Sequence, residues 1–150
     1  MIQRIQTVYL LGAIILTALC FYFPMAELTT ATGQMYAYNL RGLTGSMAGK
    51  SFSKLLMLLS GLVTGATLVT IFLYKNRKRQ MRACTPIIIF LIIIPALAYF
   101  QLEQLKVALG MMVTFKLPLV FPLISAVLTF MAYRGIKQDE DLVKSYERLR

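Results

Sequence analysis

The chain has 150 residues, of which 58% are hydrophobic, and its 16 basic and 6 acidic residues give a net charge of +10. Its apolar residues are collected into long runs without polar faces, which excludes an ordinary water-soluble helical domain. The chain has no histidine, so it lacks the commonest zinc ligand, the usual haem ligand and the best proton-transfer group near neutral pH. We therefore expect a membrane protein without metal or other cofactor.

Four runs without any charged residue predict four transmembrane helices. They contain 17 to 20 residues each, which at about 1.5 Å per residue matches a hydrocarbon core of roughly 30 Å. The first run is interpreted as a retained anchor, because Pro24 and Leu19 do not suit cleavable signals. The predicted fold is a single all-α domain, a four-helix transmembrane bundle with spans at about 7–25, 55–74, 85–102 and 117–133.

The external loop 26–53 follows the first span. Within "ELTTATGQMYAYNL", Gly33 separates a Thr-rich stretch from the alternating residues Tyr36 and Tyr38, a pattern typical of a β-hairpin. The segment 113–115 is a candidate further strand. We expect a small extracytoplasmic β cap, which either forms a lid over the bundle, the favoured interpretation, or offers an edge to a partner.

The stretch "GLTGSMAGKS" ends like a nucleotide-binding phosphate loop. That motif has four residues between its first glycine and Gly49, so it requires a glycine five positions before Gly49, and this position is Thr44. No nucleotide is expected. The glycines are better explained as a flexible approach to the second helix, which Ser51 or Ser53 would cap.

The second span carries the motif Gly61-x-x-x-Gly65. Small residues on one helix face allow a neighbouring backbone to approach closely. The neighbour is either a helix of the same chain, which is the preferred interpretation, or a helix of a partner. The candidate packing residues are Ser60, Gly61, Thr64 and Gly65.

The connection "KNRKRQMR" is predicted to be a tight cytoplasmic loop. Basic residues on its side of the membrane outnumber those on the other side by eleven to five, which predicts cytoplasmic termini. Anionic lipid headgroups are attracted to such loops, whereas nucleic acid binding is not expected. The basic residues of this predicted membrane-surface loop are Lys75, Arg77, Lys78, Arg79 and Arg82.

The third span ends in "FQLEQLK". Gln101, Glu103 and Gln104 form a candidate polar site for a cation or a small solute. The alternative, which is favoured, is a pair between Glu103 and Lys106 at the membrane surface. In the same span Pro95 is expected to kink the helix, and Pro86 is expected to stand at its start.

The segment "QDEDLVKSYERLR" has acidic residues first and basic residues last, an order that suits a helix dipole. Its apolar residues Leu142, Tyr146 and Leu149 lie at helical spacing. A short cytoplasmic C-terminal helix is expected, either docked on a partner or on the membrane surface, or solvated.

The stretches "MIQRIQTVYLL", "FYFPMAEL" and "DEDLVKSYERLR", with the Gly-then-Tyr hairpin, resemble an uncharacterised family of small four-helix membrane proteins of Bacteroidota, a domain of unknown function. The resemblance covers essentially the whole chain. It implies a bacterial inner-membrane protein and brings no catalytic or ligand-binding residues.

Two functions remain open. The first is a non-enzymatic accessory or scaffold subunit of an inner-membrane complex, with a membrane-protein partner or self-association. The second is a transporter or channel for a small solute or lipid, either monomeric or oligomeric. An enzyme is not expected, because Glu103, Cys20 and scattered hydroxyl groups are the only candidates for catalysis near the bilayer.

Overall fold

The computed structural model describes residues 2–30, 33–44 and 52–148. Four α-helices and four β-strands follow one another in this part of the chain, with a short 3-10 helix before α3 and another before α4. The elements are α1 (Ile2–Leu19), β1 (Ala26–Thr29), β2 (Met35–Asn39), β3 (Gly42–Leu43), α2 (Phe52–Phe72), Leu73–Lys75, α3 (Arg77–Leu109), β4 (Met112–Phe115), Leu117–Val120 and α4 (Phe121–Arg148).

Within the described residues, three helices are long and apolar enough to cross a membrane. The candidate spans are Lys54–Phe72, Arg77–Ala108 and Leu117–Val143, while the apolar part of α1, Ile5–Leu19, is shorter. Large apolar side chains such as Leu58 and Val127 are exposed, whereas Ser125 and Thr129 are fully buried. This inverted distribution suits a protein whose surroundings are as apolar as its interior.

The helices α1 and α4 pack against each other in opposite directions along their length. The Ser125 hydroxyl donates to the carbonyl of Ala13 at 3.2 Å, and a Cβ added to Gly12 would lie 3.2 Å from Cδ1 of Leu128. Towards one end, the Cys20 thiol lies 3.6 Å from the carbonyl oxygen of Pro118. Small residues therefore bring these two backbones together.

The predicted basic loop is wrong in its boundaries. Only Asn76 lies between the short 3-10 helix and α3, which begins at Arg77. The Asn76 side chain accepts a hydrogen bond from the Arg79 amide at 3.3 Å and so caps the helix. The expected helix start at Pro86 is therefore also wrong, since Pro86 lies inside α3. Proline fixes one backbone angle without ending the helix here.

The C-terminal segment is not a separate helix. It continues α4, which runs without interruption from Phe121 to Arg148. Leu117–Val120 forms a 3-10 helix directly before α4, and the candidate span Leu117–Val143 includes it. The segment is helical as far as Arg148, because no helix-breaking residue separates it from the fourth apolar run.

The β cap is confirmed as a four-stranded antiparallel sheet with the strand order β3-β2-β1-β4. The hairpin pairs Leu28 with Tyr36, and the candidate strand after α3 pairs Val113 with Leu28 on the other side. Gly33 has a φ of 81°, which explains why a glycine stands in the turn. The inner face of the sheet belongs to one apolar core shared with α2 and α3, which includes Ala26, Leu28, Leu40, Leu56, Ala98 and Leu102.

Candidate functional site

The strand β4 forms one edge of the cap. The amide of Lys116 donates to the carbonyl of Met25 at 2.9 Å. This bond shows which facing residues of β1 and β4 are joined by backbone hydrogen bonds. Backbone groups alternate in direction along an antiparallel strand, so those of Met112 and Thr114 face β1. Those of Val113 and Phe115 therefore point away from the sheet. In the described residues no strand lies beyond β4.

Three of the four side chains of β4 are apolar, and all but that of Val113 are exposed. Met112 is 79% exposed and Phe115 is 45% exposed. The ring of Phe115 stacks on Tyr99 of α3 at a centroid distance of 5.6 Å, and Val113 packs on the apolar core. The edge is thus held in place by α3 and carries neither a charge nor a proline that would prevent pairing with another strand.

A buried hydrogen bond joins the inner face of the cap to α3. The hydroxyl of Tyr38 on β2 donates to Oε1 of Gln101 at 2.5 Å, and both residues are buried. Burial raises the pKa of Tyr38 from 10.0 to about 12. The contact fixes the height of the sheet over the end of α3.

The three residues of the predicted polar site differ in their exposure. Gln101 is buried beneath the cap, whereas Gln104 is exposed. Glu103 lies 3.4 Å from the ammonium group of Lys106, as the favoured interpretation expected. Both partners of this ion pair are partly exposed, so it contributes little to stability.

A second ion pair lies on the outer face of the cap. The carboxylate of Glu27 on β1 is 2.9 Å from the ammonium group of Lys116, which follows β4. The two residues sit diagonally across the two strands, so the pair ties the edge strand to the centre of the sheet.

At the opposite end of the helices a polar cluster joins α1, α3 and α4. Nε2 of Gln6 donates to the carboxylate of Asp139 at 2.7 Å, and both residues are buried. The guanidinium of Arg77 donates to the Asp139 carbonyl at 3.2 Å. Close by in the chain, Gln80 donates to the carbonyl of Thr70 at 3.2 Å and ties α3 to α2.

The basic residues predicted for a loop lie mostly on the first turns of α3. Lys78, Arg79 and Arg82 are exposed, while Arg77 is partly buried against α4. The side chain of Lys75 lies outside the described residues. Four of the five predicted residues thus surround the start of one helix, with three of them open to the surroundings.

The glycines of α2 do not pack within the chain. An added Cβ at Gly61 or Gly65 would meet no atom within 4 Å in the described part of the chain. Ser60 is buried and Thr64 is partly buried. The preferred interpretation, a close contact with a helix of the same chain, is therefore wrong for the two glycines, because they face outwards.

The apolar residues of the tail can be followed only in part. Leu142 is 52% exposed on the continuous α4. The side chain of Tyr146 and the whole of Leu149 lie outside the described residues. The described portion of the tail therefore offers Leu142 and Val143 as exposed apolar residues.

Sequence reasoning did not foresee the two buried polar contacts. Gln6 and Asp139 are 133 positions apart, and Tyr38 and Gln101 are 63 positions apart. A signal was present, since Gln6 and Gln101 are uncharged polar residues at the ends of apolar runs. Across the described residues, no group of three acidic or cysteine side chains could hold a metal ion. Cys20 and Cys84 are free and buried.

A search among curated proteins found no match to this chain. A comparison with protein families matches residues 2–149 to the family described as "Domain of unknown function (DUF4293)". The match spans both terminal motifs, the hairpin and all four helices, so the chain belongs to the DUF4293 family.

Proposed function

We propose that this chain is a non-enzymatic accessory or scaffold subunit of a complex in the bacterial inner membrane. In this proposal all four helices cross the bilayer, both termini are cytoplasmic and the cap is extracytoplasmic. The proposed partner is another membrane protein that reaches the cap. Support comes from the apolar outer surfaces of the helices and from the distribution of basic residues described above.

The apolar part of α1 is shorter than the three candidate spans, but its packing supports a fourth crossing. Its contacts with α4 run from Cys20 beside Pro118 to Gln6 beside Asp139. Because α4 is long enough to cross a membrane, we propose that α1, which follows it between these two points, crosses the membrane beside it.

The observation that carries the proposed role is the unpaired edge of β4. Val113 and Phe115 direct backbone donors and acceptors away from the sheet, between apolar side chains that are already held by α3. The groups that satisfy such an edge are those of another strand. We therefore propose that β4 receives an extended segment of a partner protein, which becomes a fifth strand of the cap.

The outward-facing glycines of α2 are a second feature compatible with association. They leave a shallow surface between Leu58, Leu62 and Leu68, all of which are exposed. In the proposed complex the cap gives the specific contact, and the helix surface is in contact with lipid or with the same partner.

The role is tested by photo-crosslinking in intact cells. A photoreactive amino acid replaces Met112 at the free edge, and a matched control replaces Met35, which is 74% exposed on the interior strand β2. We expect a discrete adduct from position 112 and none from position 35. Val113→Pro, which removes an outward amide, should abolish the adduct without removing a bond to β1.

Equal labelling from positions 112 and 35, or an adduct that persists in the Val113→Pro variant, would contradict strand pairing at this edge. An adduct between two copies of the chain would show that the edge binds a second copy of this protein and not a different partner. The identity of the adduct is read by mass spectrometry.

The topology has its own test. Gln34→Cys and Ser145→Cys are introduced separately into a chain in which both native cysteines are replaced by alanine. A membrane-impermeant thiol reagent applied to intact spheroplasts should label position 34 and not position 145, because only the cap is outside. The reverse pattern would overturn the orientation, and labelling of both positions would overturn the number of crossings.

A further inference from the structure

A layer of exposed basic side chains surrounds the start of α3 and the neighbouring part of α4, at the end of the molecule opposite the cap. Arg77 contacts Asp139, which places these two positions of the antiparallel helices at about the same height. Lys78, Arg79 and Arg82 follow within about 7.5 Å of helix rise towards the apolar spans. On α4, Arg134 and Lys137 precede Asp139 over the same rise. All five side chains are exposed: Lys78, Arg79, Arg82, Arg134 and Lys137.

The acidic residues nearest this layer lie at its edge on α4, and none lies among Lys78, Arg79 and Arg82 on α3. Of the six acidic residues in the sequence, Glu27 and Glu103 belong to the opposite end of the molecule, and Asp139, Glu140, Asp141 and Glu147 lie at or beyond Asp139 on the side away from the apolar spans. The two ion pairs seen among described side chains are also at the opposite end. The basic side chains therefore form a positively charged layer between the acidic residues near the end of α4 and the apolar part of the helices.

The start of α3 adds to the positive potential. The first amides of a helix carry partial positive charge, and the first turn of α3 contains no acidic residue that would compensate it. Basic side chains in this position are mutually repulsive unless an anion lies nearby. Tyr74, 54% exposed just before α3, is of the residue type that lies at the membrane surface.

From these observations we infer that the cationic layer binds the headgroups of anionic phospholipids. The inference rests on the proposed membrane topology, which puts this layer at the depth of the cytoplasmic headgroups. The positive charge of the layer indicates a negatively charged ligand, because lysine and arginine side chains bind phosphate groups. The flexible side chains of Lys78 and Arg82, one helical turn apart, reach one headgroup from the same face of α3.

The test uses the full-length protein in vesicles of equimolar phosphatidylcholine and phosphatidylglycerol. After extraction in mild detergent, native mass spectrometry counts the two lipids that remain bound. We expect phosphatidylglycerol to be enriched by about tenfold or more over phosphatidylcholine. The variant with Lys78→Gln, Arg79→Gln and Arg82→Gln should lose most of this enrichment, and added salt should weaken it in the unaltered protein.

The matched control removes three basic residues at the other end, by Arg41→Gln, Lys54→Gln and Lys106→Gln. It should keep the enrichment. Equal enrichment in the two triple variants would overturn the inference, as would retention of added polynucleotide in place of phosphatidylglycerol. Circular dichroism confirms that the variants are folded.

Alkaline carbonate extraction of the same vesicles separates this inference from the proposed function. Protein that resists carbonate but shows no lipid enrichment overturns only the lipid site. Protein that carbonate removes overturns the membrane topology itself.

Discussion

The side-chain amide of Gln6 and the carboxylate of Asp139 form a 2.7 Å hydrogen bond between the beginning of the first helix and the last third of the fourth. Both side chains are buried, and an added Cβ at Gly135 would come within 3.1 Å of the Gln6 side chain. The absence of a side chain at Gly135 thus leaves the room that Gln6 occupies. The two helices are fixed in register at this end.

Loss of the Asp139 carboxylate should destabilise the helix bundle. In Asp139→Ala the buried amide of Gln6 loses its acceptor, which costs about 1–3 kcal/mol of unfolding free energy. Denaturation of the purified protein in detergent measures the change. The control Asp141→Ala, at an exposed position of the same helix, should change the unfolding free energy by less than about 0.5 kcal/mol.

The double variant Gln6→Ala with Asp139→Ala completes a mutant cycle. Because the two groups contact each other, the double variant should be more stable than the sum of the two single losses indicates. Additive losses would show that the hydrogen bond does not couple the two helices.

A large side chain should lower the unfolding free energy at Gly12 but leave it nearly unchanged at Gly61. In Gly12→Leu the new side chain meets Leu128 of α4, so the interface must separate, at a cost of about 1–3 kcal/mol. In Gly61→Leu no described atom stands in the way, and the unfolding free energy should be nearly unchanged. Thermal unfolding in detergent distinguishes the two, and equal losses would contradict the outward orientation of Gly61.

The cap should lose stability at alkaline pH. Burial raises the pKa of Tyr38 from 10.0 to about 12, so the folded state holds the phenolic proton more tightly than the unfolded state does. The resulting stabilisation, roughly 2–3 kcal/mol at most, is present in full below about pH 10 and is lost as the pH rises through about 12. Near-ultraviolet circular dichroism against pH follows the loss.

The control for this pH dependence is Tyr38→Phe, which removes the titrating group together with its hydrogen bond to Gln101. This variant should be less stable at neutral pH but should lose less additional stability between pH 10 and 12. An unchanged alkaline transition in Tyr38→Phe would assign the effect to another residue.

Proline substitutions should separate the two sides of β4. Thr114→Pro removes an amide that faces β1 and leaves its acceptor without a partner, which should weaken the sheet by about 1–3 kcal/mol. Val113→Pro removes an amide that faces away and should cost well under half as much. Protease resistance of the cap in detergent measures both, and a larger loss for Val113→Pro would reverse the assigned direction of the strand.

The helices and the hairpin could be predicted because each depends on a pattern of residues close together in the sequence. Apolar runs gave the helices, and the turn at Gly33 between Thr29 and Tyr36 gave the hairpin. The boundary between α2 and α3 could not be found in this way. Basic residues suggested a loop, whereas the capping side chain of Asn76 starts α3 at once. A run of basic residues therefore does not mark the end of a helix here.

The contacts between distant segments were beyond the reach of sequence periodicity. The pattern Gly61-x-x-x-Gly65 suggested close packing, but the close approach lies at Gly12 and Gly135, which stand in no such motif. A spacing shows which residues share a helix face. It does not show which way the face is turned, because that depends on where the other helices lie.

The strand β4 is also the connection between α3 and α4, and it contains no spare length. Two residues, Gly110 and Met111, separate it from α3, and Lys116 alone separates it from the 3-10 helix that leads into α4. One added residue on either side would shift the strand by one position and turn Val113 from the core to the outside. A strand bound at this edge would therefore act directly on the hinge between the two longest helices.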